Sequence, residues 1–146
     1  MTMPQSLWAD KSVVCTTPDS PAHAAAHTMI IQGIGALAVV DNGELVGILS
    51  ERDLMANMVT PADDPAATKT SDVMTRNVLT VTAKDSVEHA LHVMKENHIR
   101  HLPLVNDEGK PLAMLSFRDV FAQRLIDMQN ENSALAALAM IDGCGG

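Results

Sequence analysis

Tyrosine is absent from the sequence, and the other aromatic side chains are limited to Trp8, Phe117 and Phe121. A core with so few rings must be aliphatic, and ten methionines supply adaptable filler. The same shortage argues against a stacking platform for unpaired bases. Basic residues are scarce too, with ten Lys and Arg against eighteen Asp and Glu and a net charge of −8. That sign disfavours binding along DNA or RNA backbones or to an anionic membrane. Cys15 and Cys144 stand near opposite ends without C-x-x-C spacing, so neither a zinc knuckle nor a disulfide framework is indicated. Cys15 is expected as a small buried residue in a strand. No run approaches the roughly 18–20 apolar residues of a membrane span. The N-terminus, Met1-Thr-Met-Pro-Gln-Ser-Leu-Trp8, lacks the basic-then-apolar layout of a secretory signal, and a soluble, cytoplasmic protein is expected. What is present is 47% apolar residue in a chain of 146, which suits one domain of ordinary size and excludes a disordered chain.

The sequence repeats itself. At an offset of 65, Val13, Thr17, Ala25, His27, Met29, Ile34, Leu37 and Val40 meet Val78, Thr82, Ala90, His92, Met94, Ile99, Leu102 and Val105. One extra residue in a turn makes the offset 66, and Gly43, Leu49, Ser50, Arg52 and Asp53 then meet Gly109, Leu115, Ser116, Arg118 and Asp119. Core and polar positions recur together, which marks an internal duplication.

Each copy reads β-α-β-β-α. An extended run, Val13–Thr17 or Val78–Thr82, leads to an amphipathic helix. Its apolar stripe is Ala22, Ala25, Ala26 and Met29 in one copy and Val87, Ala90, Leu91 and Met94 in the other. Hairpins follow: Ala36–Val40 and Leu45–Leu49 around Asp41-Asn-Gly-Glu44, then Leu102–Val105 and Leu112–Leu115 around Asn106–Lys110. A second helix opens at Ser50 or Ser116, with Leu54, Met55 and Met58 or Val120, Phe121 and Leu125 expected inward. One unit alone buries little surface, so the copies are expected to pair their sheets with pseudo-two-fold symmetry and share a core. The fold class is α/β (α+β). The boundaries drawn are 7–60 and 72–126 for the copies, 61–71 for a Pro-rich linker, and 127–146 for a C-terminal helical extension and tail. Leu135, Leu138 and Ile141 make that extension a candidate for oligomer packing, and the terminal Gly143-Cys-Gly-Gly146 is expected to fray.

Ser-x-Arg-Asp at the strand-to-helix junction is the polar constellation that recurs in full, as Ser50-Glu-Arg-Asp53 and Ser116-Phe-Arg-Asp119. It has two readings. In one, Ser caps the helix and Asp reaches back to the Ser amide, a capping box worth about 1 kcal/mol with no ligand. In the other, the helix N-terminus, the hydroxyl and the guanidinium receive a phosphate while the carboxylate accepts from ribose hydroxyls.

With Gly47-Ile-Leu-Ser-Glu-Arg-Asp53 in one copy and His98-Ile-Arg-His-Leu-Pro-Leu-Val105 in the other, the duplication resembles the tandem cystathionine-β-synthase (CBS) domain pair, or Bateman module. It is most similar to stand-alone bacterial proteins made of little else, and the resemblance covers about residues 7–141. The resemblance implies that Asp53 and Asp119 bind ribose, that Ser50 and Ser116 approach phosphate or sugar, and that Thr16 and Thr80 help wall the base pocket. Gly35-Ala36 and Arg100-His101-Leu-Pro103 match segments that face the base and the phosphates. It further implies AMP, ADP, ATP, NAD or S-adenosylmethionine as ligand, and a homodimer with four repeats in a disc.

The copies differ. Gly33-Ile-Gly-Ala36 is small and uncharged, whereas His98-Ile-Arg-His101 brings cations, with Arg52 and Arg118, that could neutralise phosphate. Ala113 stands where the first copy has Gly47, which works against close backbone approach to a ligand there. Cys15 stands where the second copy has Thr80 and loses a hydroxyl. The two clefts are therefore expected to differ.

His23/His27 and His89/His92 have metal-compatible spacing but lie off the predicted apolar stripes, and no third ligand stands at a useful spacing, so solvated faces are expected and no metal. No Gly-x-Ser-x-Gly, Walker-type loop or Cys-His-Asn set is present, so no catalytic residues are assigned. The leading expectation is a non-catalytic regulatory module for an adenine nucleotide or adenosyl ligand that signals to an unknown protein. The alternative is a structural interaction module whose Ser-x-Arg-Asp motifs are only caps. An enzyme acting on a nucleotide is disfavoured for lack of a general base or metal cluster.

Overall fold

The computed structural model describes residues 2–10, 12–59 and 67–144. A 3-10 turn at Gln5–Leu7 precedes β1 (Cys15–Thr16), α1 (Ala22–Gln32), β2 (Ala36–Asp41), β3 (Glu44–Ser50) and α2 (Glu51–Val59). Then come the short α3 (Thr70–Val73), β4 (Val81–Thr82), α4 (Val87–Asn97), β5 (His101–Val105), β6 (Pro111–Ser116) and α5 (Phe117–Cys144). The result is a mixed α/β fold with two three-stranded sheets, ordered β1-β2-β3 and β4-β5-β6. In each, the first strand pairs parallel and the hairpin antiparallel. Across the duplication, β2 of one copy lies against β6 of the other.

Local chemistry accounts for the elements. Asn42 and Gly43 hold φ of 51° and 84°, the left-handed pair that a tight hairpin needs. Helix α4 is capped by the Ser86 hydroxyl, which accepts from the His89 N–H at 3.0 Å. It ends at His98 in a left-handed conformation, φ 53°, where α1 ends at Gly33, φ 65°. Both first helices turn the expected stripe inward: Ala22, Ala25 and Met29 in α1 and Val87, Ala90 and Met94 in α4 are buried, while Ala26 and Leu91 are half-buried. The opening strands are shorter than expected, with two paired residues each. β4 still ends at Thr82 as expected, where Asp85 turns back and accepts the Thr82 N–H at 2.8 Å; its shortening is at the start, where residues 78–80 stay out of the ladder.

The core is divided rather than shared. One cluster joins Met29, Leu37, Val39 and Leu49 of the first copy. The other joins Val81, Met94, Leu102, Leu104, Leu115 and Val120 of the second. Each cluster is completed by the leading segment of the other copy. Met3 and Leu7 are buried in the second copy's cluster, with Met3 N–H donating to Ala83 O at 3.1 Å. Reciprocally, Val73 and Met74 pack on the first copy's cluster, and buried Thr70 donates its N–H and hydroxyl to Ser20 O at 2.8 and 2.9 Å. Residues 68–71, drawn as linker, are thus anchored backbone; residues 61–66 lie outside the described residues.

Two expectations about burial fail. Cys15 is in a strand but exposed, because β1 is an edge strand. Of the second-helix residues expected inward, Val120 is buried and Leu54 half-buried, but Met55, Phe121 and Leu125 are 65%, 46% and 47% exposed. They lie on faces that the sheets do not cover. The side chains of Met58 and Ile141 lie outside the described residues. Helix α5 runs 28 residues and includes Gly143 and Cys144, which were expected to fray. No helix among the described residues is long and apolar enough to cross a membrane.

Candidate functional site

The first copy's Ser-x-Arg-Asp sits where β3 becomes α2. Asp53 Oδ2 accepts from the Ser50 N–H at 2.8 Å and from the Ser50 hydroxyl at 3.0 Å. In return the Asp53 N–H donates to Ser50 Oγ at 3.3 Å, which closes the capping box. Asp53 Oδ1 accepts from the Thr75 hydroxyl at 2.9 Å. A carboxylate offers about four lone-pair sites, so one remains on Oδ1.

Thr75 reaches this position through backbone. It bridges Ile48 on the open edge of β3, with N–H to O distances of 3.0 and 2.9 Å. The approach is close enough that a Cβ on Gly47 would stand 2.6 Å from Met74 Sδ and 3.1 Å from Thr75 O. The chain's own crossing segment thus crowds Gly47 and favours glycine there.

Between the copies lies a cavity of about 690 Å³. Ser50, Arg52 and Asp53 line it from the first copy, and Arg100, His101 and Pro103 from the second. Its apolar lining includes Ile48, Met55, Val78, Leu79 and Ile99. That volume falls in the usual range for small-ligand pockets. Arg52 also ties the copies together, donating from Nη1 to His98 O at 3.2 Å. The His101 imidazole is half-buried, and burial holds its pKa below the ordinary histidine value; Glu51 pulls it up and Arg100 pushes it down. Cations and hydroxyls at one part of an aliphatic chamber are what a phosphorylated or otherwise polar nucleoside requires.

Six other predicted residues do not line this cavity. Thr16 pairs with Val39 on β1 and Ala36 is buried beside Ser50 on β2. Thr80 is exposed just past Leu79. Ser116, Arg118 and Asp119 belong to the junction of β6 and α5, where the Asp119 N–H donates to Ser116 Oγ at 3.2 Å. Sequence reasoning missed Thr75 and Asn77 as lining residues, since a single-residue bridge leaves no periodic trace, whereas Val78 and Leu79 are among the strand residues around Thr80 that the resemblance implied as pocket wall. His98 left a trace that the repeat could have exposed: it replaces Gly33 at a left-handed position, a strained choice for a side chain that then lines the cavity. Among the described residues no three His, Cys, Asp or Glu side chains converge on a metal-sized site.

A family model described as "CBS domain" matches residues 7–60 and 71–125. The chain is 36% identical over 117 residues to the mitochondrial CBS domain-containing protein CBSX3 of Arabidopsis thaliana, covering 77% of this chain and 56% of that protein. The chain thus spans little more than half the length of that relative. A crystal structure of a CBS-domain-containing protein from Agrobacterium tumefaciens superposes with a TM-score of 0.72 at 29% identity, over 78% of this chain and 90% of the other. The CBS domain pair of protein MJ0100, in complex with 5′-methylthioadenosine and S-adenosyl-L-methionine, superposes with a TM-score of 0.73 at 26% identity, over 86% and 99%.

Proposed function

The chain belongs to the CBS-domain family, and from that premise we propose that it is a non-catalytic regulatory module whose inter-copy cleft binds an adenine nucleotide or related adenosyl ligand. The observation that carries the reading is the convergence of Ser50, Arg52 and Asp53 with Arg100, His101 and Pro103 around one chamber of ligand size. In this reading the base lies against aliphatic side chains such as Ile48, Val78 and Leu79. Asp53 offers its remaining lone pair to a ribose hydroxyl, and Arg52 and Arg100 meet phosphate. AMP, ADP, ATP, NAD and S-adenosylmethionine are the ligands to try; the adenosyl ligands of the MJ0100 complex support the class. Ligand that bridges the copies shifts their relative position and so biases the state of a partner protein.

The completed capping box favours a second reading, in which Ser50 and Asp53 serve structure alone. Calorimetric titration of the chain and of its Asp53→Ala variant separates the two. If the carboxylate only caps, the variant loses about 1–2 kcal/mol of stability and nothing binds to either protein. If the cleft is a ligand site, the native chain releases heat on titration and the variant loses the binding as well as the stability. The absence of both heat and thermal stabilisation with all five ligands would overturn the proposal.

We also propose a homodimer. Its support is the exposed stripe Phe117, Phe121, Leu125 and Met128 on α5, a pattern that marks association surfaces. Phe117 and Phe121 stack with centroids 5.5 Å apart.

A further inference from the structure

The duplication places His101 where the first copy has Ala36, and Arg100 where it has Gly35. These exchanges interlock the copies. A Cβ on Gly35 would stand 2.8 Å from His101 Cε1, 3.0 Å from Nε2 and 3.6 Å from the Glu51 carboxyl carbon. The imidazole thus occupies space that glycine leaves open, with its Cε1–Nε2 edge toward the first copy and Glu51 beside the same gap. His101, Gly35 and Glu51 all line the cavity between the copies.

The charges around this ring come close to cancelling. From α2, Glu51 and Asp53 oppose Arg52; from the segment before β5 comes Arg100, with His98 nearby. Gly35, just before β2, and Ala36, its first residue, are uncharged, and the register partner of His101 on β6 is Ser116. Two arginines against two carboxylates leave the sign of the chamber to its histidines. His98 is exposed at the rim, whereas His101 is held between the copies.

We propose that His101 is the charge-selecting residue of the cleft, taking a proton from solvent when a phosphate-bearing adenosyl ligand enters and not when an uncharged one does. This deepens the ligand-site reading and rests on it. An anionic oxygen near the ring raises the ring's pKa from its depressed unliganded position. Because the liganded pKa is then the higher one, affinity for phosphate rises as pH falls from above the liganded to below the unliganded value. Uncharged 5′-methylthioadenosine gains nothing over the same interval, and the sulfonium cation of S-adenosylmethionine is repelled by the protonated ring.

The test is calorimetry of the full chain with AMP and with 5′-methylthioadenosine between about pH 8 and pH 6, in two buffers of different ionisation enthalpy. AMP should tighten by roughly tenfold for each unit by which binding raises the ring's pKa, with net proton uptake; 5′-methylthioadenosine should show neither. His101→Asn should lose the uptake that belongs to the ring and keep only the titration of AMP itself, while His98→Asn should retain the uptake. In native protein, the His101 Cε1–H resonance should titrate at higher pH with AMP than without it, a readout that needs no variant to fold. Gly35→Ala displaces the ring from its seat and should shrink the difference. An unchanged His101 midpoint on AMP binding, or identical pH profiles for native and His101→Asn protein, overturns the selector while leaving the ligand site intact. Failure of every adenosyl ligand to bind at any pH overturns both.

Discussion

Asp53 ties three parts of the chain together at the edge of the cleft. Its carboxylate closes the cap of α2 and holds Thr75 of the crossing segment. Gly47 serves the same crossing. Gly47→Ala should drive a methyl against Met74 and the Thr75 carbonyl, costing about 1–3 kcal/mol in urea unfolding and loosening the Thr75–Asp53 bond. Ala113→Gly, at the matching position of the other copy, should not stabilise, since glycine in a strand adds only backbone freedom. A second residue-scale prediction concerns acid. The His101 pKa is depressed in the folded chain, so the unfolded chain binds the extra proton as pH falls through the ordinary histidine range near 6.5. Stability without ligand should therefore fall from neutral toward mildly acidic pH, seen as a lower urea midpoint, and His101→Asn should remove that part of the fall. A slope that the variant leaves unchanged would assign it to other groups. Ser50, Arg52 and Asp53 were legible because the motif occurs twice. Thr75 was not, because its position depends on one long-range backbone bridge.

At the scale of elements, periodicity located helices well and their environments less well. The stripes of α1 and α4 face their sheets as expected, with Ala22, Ala25 and Met29 and Val87, Ala90 and Met94 buried, although α1 also carries Ile30 and Ile31 on an exposed face. Helices α2 and α5 carry apolar residues on more than one face, and a sequence pattern cannot say which face a sheet covers. Val120 lies under its sheet while Phe121, the next residue, is 46% exposed. Phe121→Glu should therefore change monomer stability by no more than about 0.5 kcal/mol, as surface substitutions do, and should shift sedimentation toward monomer. Should it instead unfold the chain, Phe121 would belong to the core after all.

For the whole molecule, the offsets of 65 and 66 made the two-copy architecture legible before any coordinates. The exchange of leading segments was not, since Met3 stands before the first copy and Leu7 at its first drawn residue, and yet both complete the core of the second. Thr70 and Met74 do the reverse. This reciprocity, more than a common core, binds the two copies into one folding unit. Leu7→Ala should cost about 2–5 kcal/mol, the range for a buried leucine, and the emission of Trp8, the single tryptophan, reports on the same segment. A cost below 1 kcal/mol would mean that the segment merely rests on the surface.

The central claim is that the chamber between the copies is where an adenosyl ligand binds. Amide chemical-shift mapping of the isotope-labelled chain during titration with AMP, ATP and S-adenosylmethionine tests it most directly. The account predicts that at least one ligand moves resonances in three separate stretches, 50–56, 75–79 and 98–103, which meet only at this cleft. No shifts with any ligand, or shifts confined to a surface such as the α5 stripe, would contradict it.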